Sequence, residues 1–375
     1  MNYCVDIYKN FKCLADKCPD TCCFGWTILV DDETDARYSE EPGKLGRTLR
    51  RNVHRINERC IKKKINGRCP YEEKSGLCGL QLMGRTDCMP RVCREYPRRI
   101  LDFGYISEIT LEMACPEVAR LILENPRRLS FVEVDEGHDS LWTLENDDKS
   151  FLDGLMYTRE RVLDIVWDEE RSFSDCMRAV YDYSYRIHEI LIKGSSDGMT
   201  EVESEINKTE FETDVVSKYF LYRFGTLDKL LVYNIADPRL SYAISRLHQR
   251  IKHYHKRFDD LNEIEALRLC ENTLDEMIES GIVNKNKYRA YLSFTIQQLY
   301  MTAYEDYYVL RPIILSLAYV QILMIVDVCT YLDGDDMSLS NQCLEMGSLE
   351  RRMRHNEAVR DGMTERIRHE FMDVK

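Results

Sequence analysis

The chain has 375 residues, room for two or three domains of ordinary size. Hydrophobic residues make up 44% and charged residues 31%, with only 9 Pro and 17 Gly, which excludes wholesale disorder and collagen-like or linker-dominated architectures. The formal net charge of −13 argues against a general nucleic-acid binder, because an acidic surface repels phosphate.

The first residues, Met1 to Cys18, lack a basic region followed by an apolar one, so they do not read as a secretory signal. Residues 1–30 are cysteine-rich and end in the apolar run Trp26 to Val30, a short strand or a turn of helix. Residues 33–64 read as helical, and from Lys44 onward they are strongly basic, with Arg47, Arg50, Arg51, Arg55, Arg59, Lys62, Lys63 and Lys64 facing only Glu58. Residues 66–99 have little periodicity and many Gly, Pro and Cys, the composition of a metal-organised loop region. A β-hairpin is expected over 100–113, turning at Gly104. From Cys115 the pattern is helical: 116–125, 151–167, 170–193, 212–234, 238–258, 260–280, 284–304, 311–332 and 348–372. The most apolar stretch, Ile313 to Val328, carries Ser316, Gln321 and Asp327 and is shorter than the roughly 20 residues that a membrane span needs. It reads as a buried core helix started by Pro312, and the chain is expected to be cytoplasmic, with no membrane partner. The fold class is mainly α. A small Cys-rich metal or iron–sulfur module with a short β-hairpin (residues 1–125) precedes a larger α-helical domain (126–375).

The cysteines carry most of the chemical signal. Eleven of the 15 lie in residues 1–125: Cys4, Cys13, Cys18, Cys22, Cys23, Cys60, Cys69, Cys78, Cys88, Cys93 and Cys115. Charge is divided the same way, with 21 Lys+Arg against 19 Asp+Glu in that segment, or +2, leaving −15 for the remainder. In a reducing compartment such a concentration points to a metal site rather than to disulfides. Cys18-Pro19-Asp20 and Cys115-Pro116-Glu117 read as helix starts, with Cys at the N-cap, Pro at N1 and an acid at N2. A thiol there is expected to have a lowered pKa. Cys22 would then share the face of Cys18 at i+4. Cys13, Cys18, Cys22, Cys23, Cys69, Cys78, Cys93 and Cys115 are the candidate ligands, with Cys18, Cys22, Cys93 and Cys115 foremost, whereas Cys4, Cys60 and Cys88 read as ordinary core residues. Soft thiolates select zinc or an iron–sulfur cluster. The chain has neither the CxxC pairs of structural zinc sites nor CxxxCxxC, since Gly25 stands where the third cysteine would be. Eight thiols exceed the four of one site, so either two sites exist or about half of the cysteines are structural.

Other signals are weaker. GxGxxG, GxxxxGK[ST], GxSxG and HExxH are absent. His248, His253 and His255 do not share one helical face, so a solvated face accounts for them better than a metal. Tyr304, Tyr307 and Tyr308 would suit a cationic amine, although aromatics at helical spacing usually form core. Arg51, Arg55, Arg94 and Arg98 are the candidate anion holders, against the simpler reading of a solvated basic face.

Several motifs together resemble the flagellin lysine-N-methylase family. They are Phe11 to Cys13, then Cys18 to Trp26 with Asp31 and Tyr38, Gly76 to Gln81, Pro90 to Arg98, and Thr110 to Arg120. The first is also similar to small CxxCxxCC metal-chelating proteins, here with the spacing CxxxxCxxxCC. The resemblance implies methyl transfer from S-adenosylmethionine to lysine side chains of flagellin, with an iron–sulfur cluster (4Fe-4S in kind) on the cysteines. Apart from the resemblance, the basic patch that carries Arg51, Arg55, Arg94 and Arg98 beside the cysteines would suit the carboxylate of the methyl donor or acidic side chains near the target lysines. Two rival readings stand beside the family resemblance: a metal-chelating or cluster-carrying protein without catalysis, and a zinc-stabilised scaffold that binds partners through its acidic body.

Overall fold

The computed structural model describes residues 1–23, 27–55, 58–134, 146–192 and 263–354, with isolated positions 249 and 362. The helices expected over 212–234 and 238–258, the three histidines, and Phe24 to Trp26 of the first motif lie outside the described residues.

The N-terminal strand β1 (Asn2–Val5) lies in a four-stranded sheet with β4 (Arg98–Asp102), β5 (Ser107–Leu111) and β6 (Phe131–Glu133), in the order β4-β5-β1-β6. The expected hairpin is β4–β5, antiparallel from Arg98 opposite Leu111 to Asp102 opposite Ser107. β1 runs parallel to β5 and antiparallel to β6.

Between β1 and β4 lies a separate small module. Its elements are α1 (Asp32–Glu40), α2 (Gly43–Arg51), the two-stranded ribbon β2 (Val53–His54) and β3 (Cys60–Ile61), and the short helices α3 (Gly79–Leu82) and α4 (Arg91–Glu95). The continuous helix expected over 33–64 is therefore wrong. Pro42 and Gly43 break it, Gly43 at φ +69°, and the basic run beyond Arg51 turns into the ribbon. Asp31 caps α1 through Thr34 N at 3.0 Å and also accepts from Arg91 N at 2.8 Å, fixing the start of α4 beside α1. Arg50, expected on a basic face, instead donates to the Tyr38 and Glu41 carbonyls at 2.6 and 3.1 Å and closes the end of α1.

The helix start expected at Cys18 also fails. Cys18 ends a one-turn 3-10 segment (Ala15–Lys17), and residues 19–23 form bends and turns, so Cys18 and Cys22 do not share a helical face. Cys115 does cap a helix, α5 (Pro116–Leu123), with Pro116 at its first position.

The body comprises α5, α6 (Asn146–Val166), α7 (Phe173–Ile192), α8 (Glu263–Glu279), α9 (Lys287–Leu299), α10 (Ala303–Asp306), α11 (Leu310–Leu332) and α12 (Leu339–Met353). The last begins earlier than expected because Ser338 caps it, accepting from Asn341 N at 3.4 Å. α11 is long and apolar enough to cross a membrane, but 89% of its apolar window is buried among α7, α8, α9 and α12. It is a core helix.

Two hydrophobic cores result among the described residues. The small core runs from Ile28 to Met89, with Tyr38, Leu49, Leu80, Cys69 and Cys88. The large one joins the helices to the sheet through Val5, Leu111, Met113 and Val118. Buried ion pairs fix the sheet to the helices: Arg159 of α6 grips Glu108 of β5 at 2.7 and 2.6 Å, both side chains 2% exposed.

Candidate metal centre

Four loop segments of the small module converge on its core, each bringing one cysteine. Cys69 follows the turn at Gly67, Cys78 is the N-cap of α3, Cys93 lies in α4, and Cys23 comes from the N-terminal loop. Cys69 is itself buried, and Cys23, Cys78 and Cys93 pack against the same core. Glycines make the approach possible. Gly76 turns at φ +79°, and a Cβ on Gly79 would stand 2.8 Å from Glu73 Oε1 and 3.1 Å from the Tyr71 carbonyl, which the Gly79 N–H reaches at 2.7 Å.

Charge accumulates on Cys23. The Cys22 and Cys69 thiols donate to its sulfur, and Thr21 and the Lys63 ammonium add to this, holding Cys23 well below the ordinary thiol range. Lys63 Nζ also donates to the Cys23 carbonyl at 2.7 Å. The donors move the other way: Cys22 and Cys69 are raised, first by their hydrogen bond to Cys23 and then by burial. Burial, then the neighbouring charges of Cys23 and Cys78, pushes Cys93 up to about 12. Cys78 is also raised, mainly by burial, with Cys23 near it.

A second set surrounds Cys115. Cys18 lies within electrostatic range of Cys13 and Arg351, and Cys115 within range of Cys18 and Cys13. Cys22 feels Cys23, Cys93 and Cys13. The lowered pKa expected for N-cap thiols is not found at either predicted position. Burial raises Cys18, and it raises Cys115 to about 11 despite backbone hydrogen bonds from Val118 and Glu117. Desolvation outweighs the helix terminus.

This second region is held from the far end of the chain. Arg351 of α12 pairs with Asp20 at 2.7 Å and donates to the Ala114 carbonyl at 3.2 Å, so one guanidinium joins the Cys18–Cys22 turn to the start of α5. Sequence reasoning missed Arg351 because nothing in a single chain links position 351 to position 20. It also gave Tyr38 no role beyond the motif, although this phenol is fully buried next to Tyr71, Cys93, Cys88 and Cys69, and no described group bonds its hydroxyl.

The eight sulfurs fit a metal by donor type. Among the described residues, the only three candidate ligand atoms mutually within 4.8 Å belong to Glu41, Asp87 and Cys88. That trio already holds a cation: Arg85 donates to Glu41 at 2.8 and 2.6 Å, to Asp87 at 3.0 Å and to the Cys88 sulfur at 3.1 Å. No three cysteine sulfurs of the described residues lie mutually within 4.8 Å. A tetrahedral zinc–thiolate site with Zn–S of about 2.3 Å needs sulfurs about 3.8 Å apart. Cys4 and Cys88 are fully buried, as expected of core cysteines, and Cys60 is half-buried in β3.

The four candidate arginines go to different partners. Arg55 makes a two-pronged pair with Asp35 at 2.8 and 2.5 Å. Arg94 donates to the Met89 carbonyl at 3.1 Å, Arg98 donates to the Tyr8 hydroxyl at 3.1 Å and lies over the Tyr8 and Phe11 rings, and Arg51 stands exposed at the end of α2.

The chain is similar to curated bacterial proteins. Over 132 residues, a third of this chain, it is 28% identical to the flagellar biosynthetic protein FliU of Salmonella muenchen, covering 78% of that protein. Over 132 residues it is likewise 28% identical to proteins named lysine-N-methylase in Salmonella choleraesuis and Salmonella typhimurium. The chain spans about a third of the length of those two, 33% in each case. No family model matches it, and no solved structure matches it.

Proposed function

We propose that the protein is an S-adenosylmethionine-dependent lysine N-methyltransferase that acts on flagellin in the cytoplasm, assisted by an iron–sulfur cluster on its N-terminal cysteines. A methyltransferase-like function is what the names of the similar proteins support. The observation that carries the finer reading is the meeting of Cys22, Cys23 and Cys69, with Cys78 and Cys93 packed against the same small core as Cys23 and Cys69.

When bound, a cluster would supply one-electron chemistry to the methyl donor. The chain's own residues do the rest. Lys63 and the neighbouring thiols hold Cys23 as a thiolate, the form that ligates metal. Arg351 stabilises negative charge beside Cys18 and Cys22 from a position 4% exposed. Arg51 is exposed, whereas the exposed Arg55 is already paired with Asp35, and Arg51 is our choice for the donor's carboxylate. A target lysine must lose its proton before it can accept a methyl group, so the acidic body attracts the substrate but does not itself activate the amine.

The test is anaerobic incubation of the reduced full chain with S-adenosylmethionine and flagellin, followed by intact-mass analysis. Methyl increments on flagellin that require both the donor and the metal-loaded protein are expected. No increment under these conditions would reject the reading in favour of a cluster carrier.

A further inference from the structure

The two sets of cysteines meet at one peptide bond, that between Cys22 and Cys23. We propose that they form two separate four-cysteine metal centres, one on Cys23, Cys69, Cys78 and Cys93 and the other on Cys13, Cys18, Cys22 and Cys115. This rests on the reading of the eight thiols as ligands and goes beyond it by dividing them.

The division has three supports. The first is packing: Cys69 belongs to the small core and Cys23, Cys78 and Cys93 lie against it, whereas Cys115 packs against the large core. The second is anchoring. Lys63 Nζ holds the Cys23 carbonyl to the small module at 2.7 Å, while the Asp20–Arg351–Ala114 clamp, at 2.7 and 3.2 Å, holds the preceding turn to α5 and α12. The chain is thus fixed to a different body on either side of Cys22–Cys23, and adjacent residues serve different centres.

The third support is a buried hydrogen-bond donor left over beside each set. The Tyr38 hydroxyl is fully buried and faces Cys69 and Cys93, and no described group accepts from it. Arg351 is 4% exposed, and its Nη1 is likewise buried without an acceptor among the described residues, near Cys18 and Cys22. An unmet buried donor is costly. Sulfur atoms of a bound centre are natural acceptors, and such bonds tune metal–thiolate sites. The Tyr71 hydroxyl, likewise buried without an acceptor among the described residues, also lies beside the first set, so each set has at least one such donor. Four ligands per centre also uses all eight candidates.

Two double variants of the full chain, prepared anaerobically, test the division: Cys78→Ser with Cys93→Ser, and Cys13→Ser with Cys115→Ser. Serine at Cys78 and Cys115 keeps an N-cap oxygen for α3 and α5. Each pair should halve the metal bound per chain and remove one of two spectroscopic signals, and combining the pairs should abolish both. Loss of all metal from either pair alone, or of none from one pair, would overturn the division. Tyr38→Phe offers a readout that does not remove a ligand: it should shift the reduction potential of the first centre alone, and an equal shift of both signals would count against two centres. Zinc in both sites would keep the division and overturn the iron–sulfur reading. Two iron centres without methyl transfer would keep it and overturn the enzymatic reading.

Discussion

The small module and the helical body are stabilised by different means. The body buries long apolar faces: α11 alone contributes Ile313, Leu317, Val320, Leu323 and Val328, all less than a tenth exposed. Among the described residues the module's core gathers eleven buried apolar side chains, two of them cysteines, from elements of two to nine residues and the loops between them. A core of that size rarely holds a fold unaided, and bound metal is a common supplement. The comparison teaches that in this chain thiols stand where the body has aliphatic side chains.

Removing metal is the strongest way to break the comparison. Chelation should expose residues 27–95 to protease while 263–354 stay protected and helical, read by limited proteolysis with circular dichroism. Equal protection of both regions would mean that the module does not depend on metal. Next comes the body's own buried charge. Lys287 is 2% exposed and pairs with Asp327 at 2.7 Å, where Tyr288 also donates at 2.8 Å. Asp327→Ala leaves that ammonium uncompensated and should cost about 3–5 kcal/mol in denaturant unfolding of the body, with metal content unchanged.

How far these elements were legible in the sequence follows from how local each signal is. The helices at α6, α7, α9 and α11 announce themselves by apolar periodicity, and the β4–β5 hairpin by its turn at Gly104. The continuous helix expected over 33–64 fails because charged residues at helical spacing look the same whether or not a helix continues, whereas Pro42-Gly43 ends it. The candidate ligands were legible as a composition. Their division was not, because Cys18-Pro19 does not start a helix and the clamp depends on Arg351. Tyr38 was hidden by being one of 23 tyrosines.

Smaller effects sharpen the contrast within the module. A Cβ on Gly46 would lie 1.7 Å from the Glu41 carbonyl oxygen. Gly46→Ala should therefore force α1 and α2 apart at a cost of about 1–3 kcal/mol and lower metal retention, leaving the body's unfolding unchanged. The weakest effect is acid sensitivity. Hydrogen bonds from Arg55 hold the Asp35 carboxyl below its usual range, and bonds from Arg85 do the same for Glu41 and Asp87. Depressed folded values contribute stability that is fully present above the unfolded carboxylate range, about pH 4, and is lost as pH falls through the folded values. The module should loosen before the body on acidification below about pH 4, by a modest margin because several of these pairs are exposed. Hydrogen exchange across that range would check it.

The central claim is that the metal-organised module is part of the methylating machinery. The most direct measurement is methyl transfer to flagellin by one anaerobic preparation as its metal is progressively withdrawn, with metal content, helicity and methyl incorporation read on the same samples. The account expects incorporation to fall in step with metal while the body stays helical. Undiminished methyl transfer by metal-free, folded protein would contradict it.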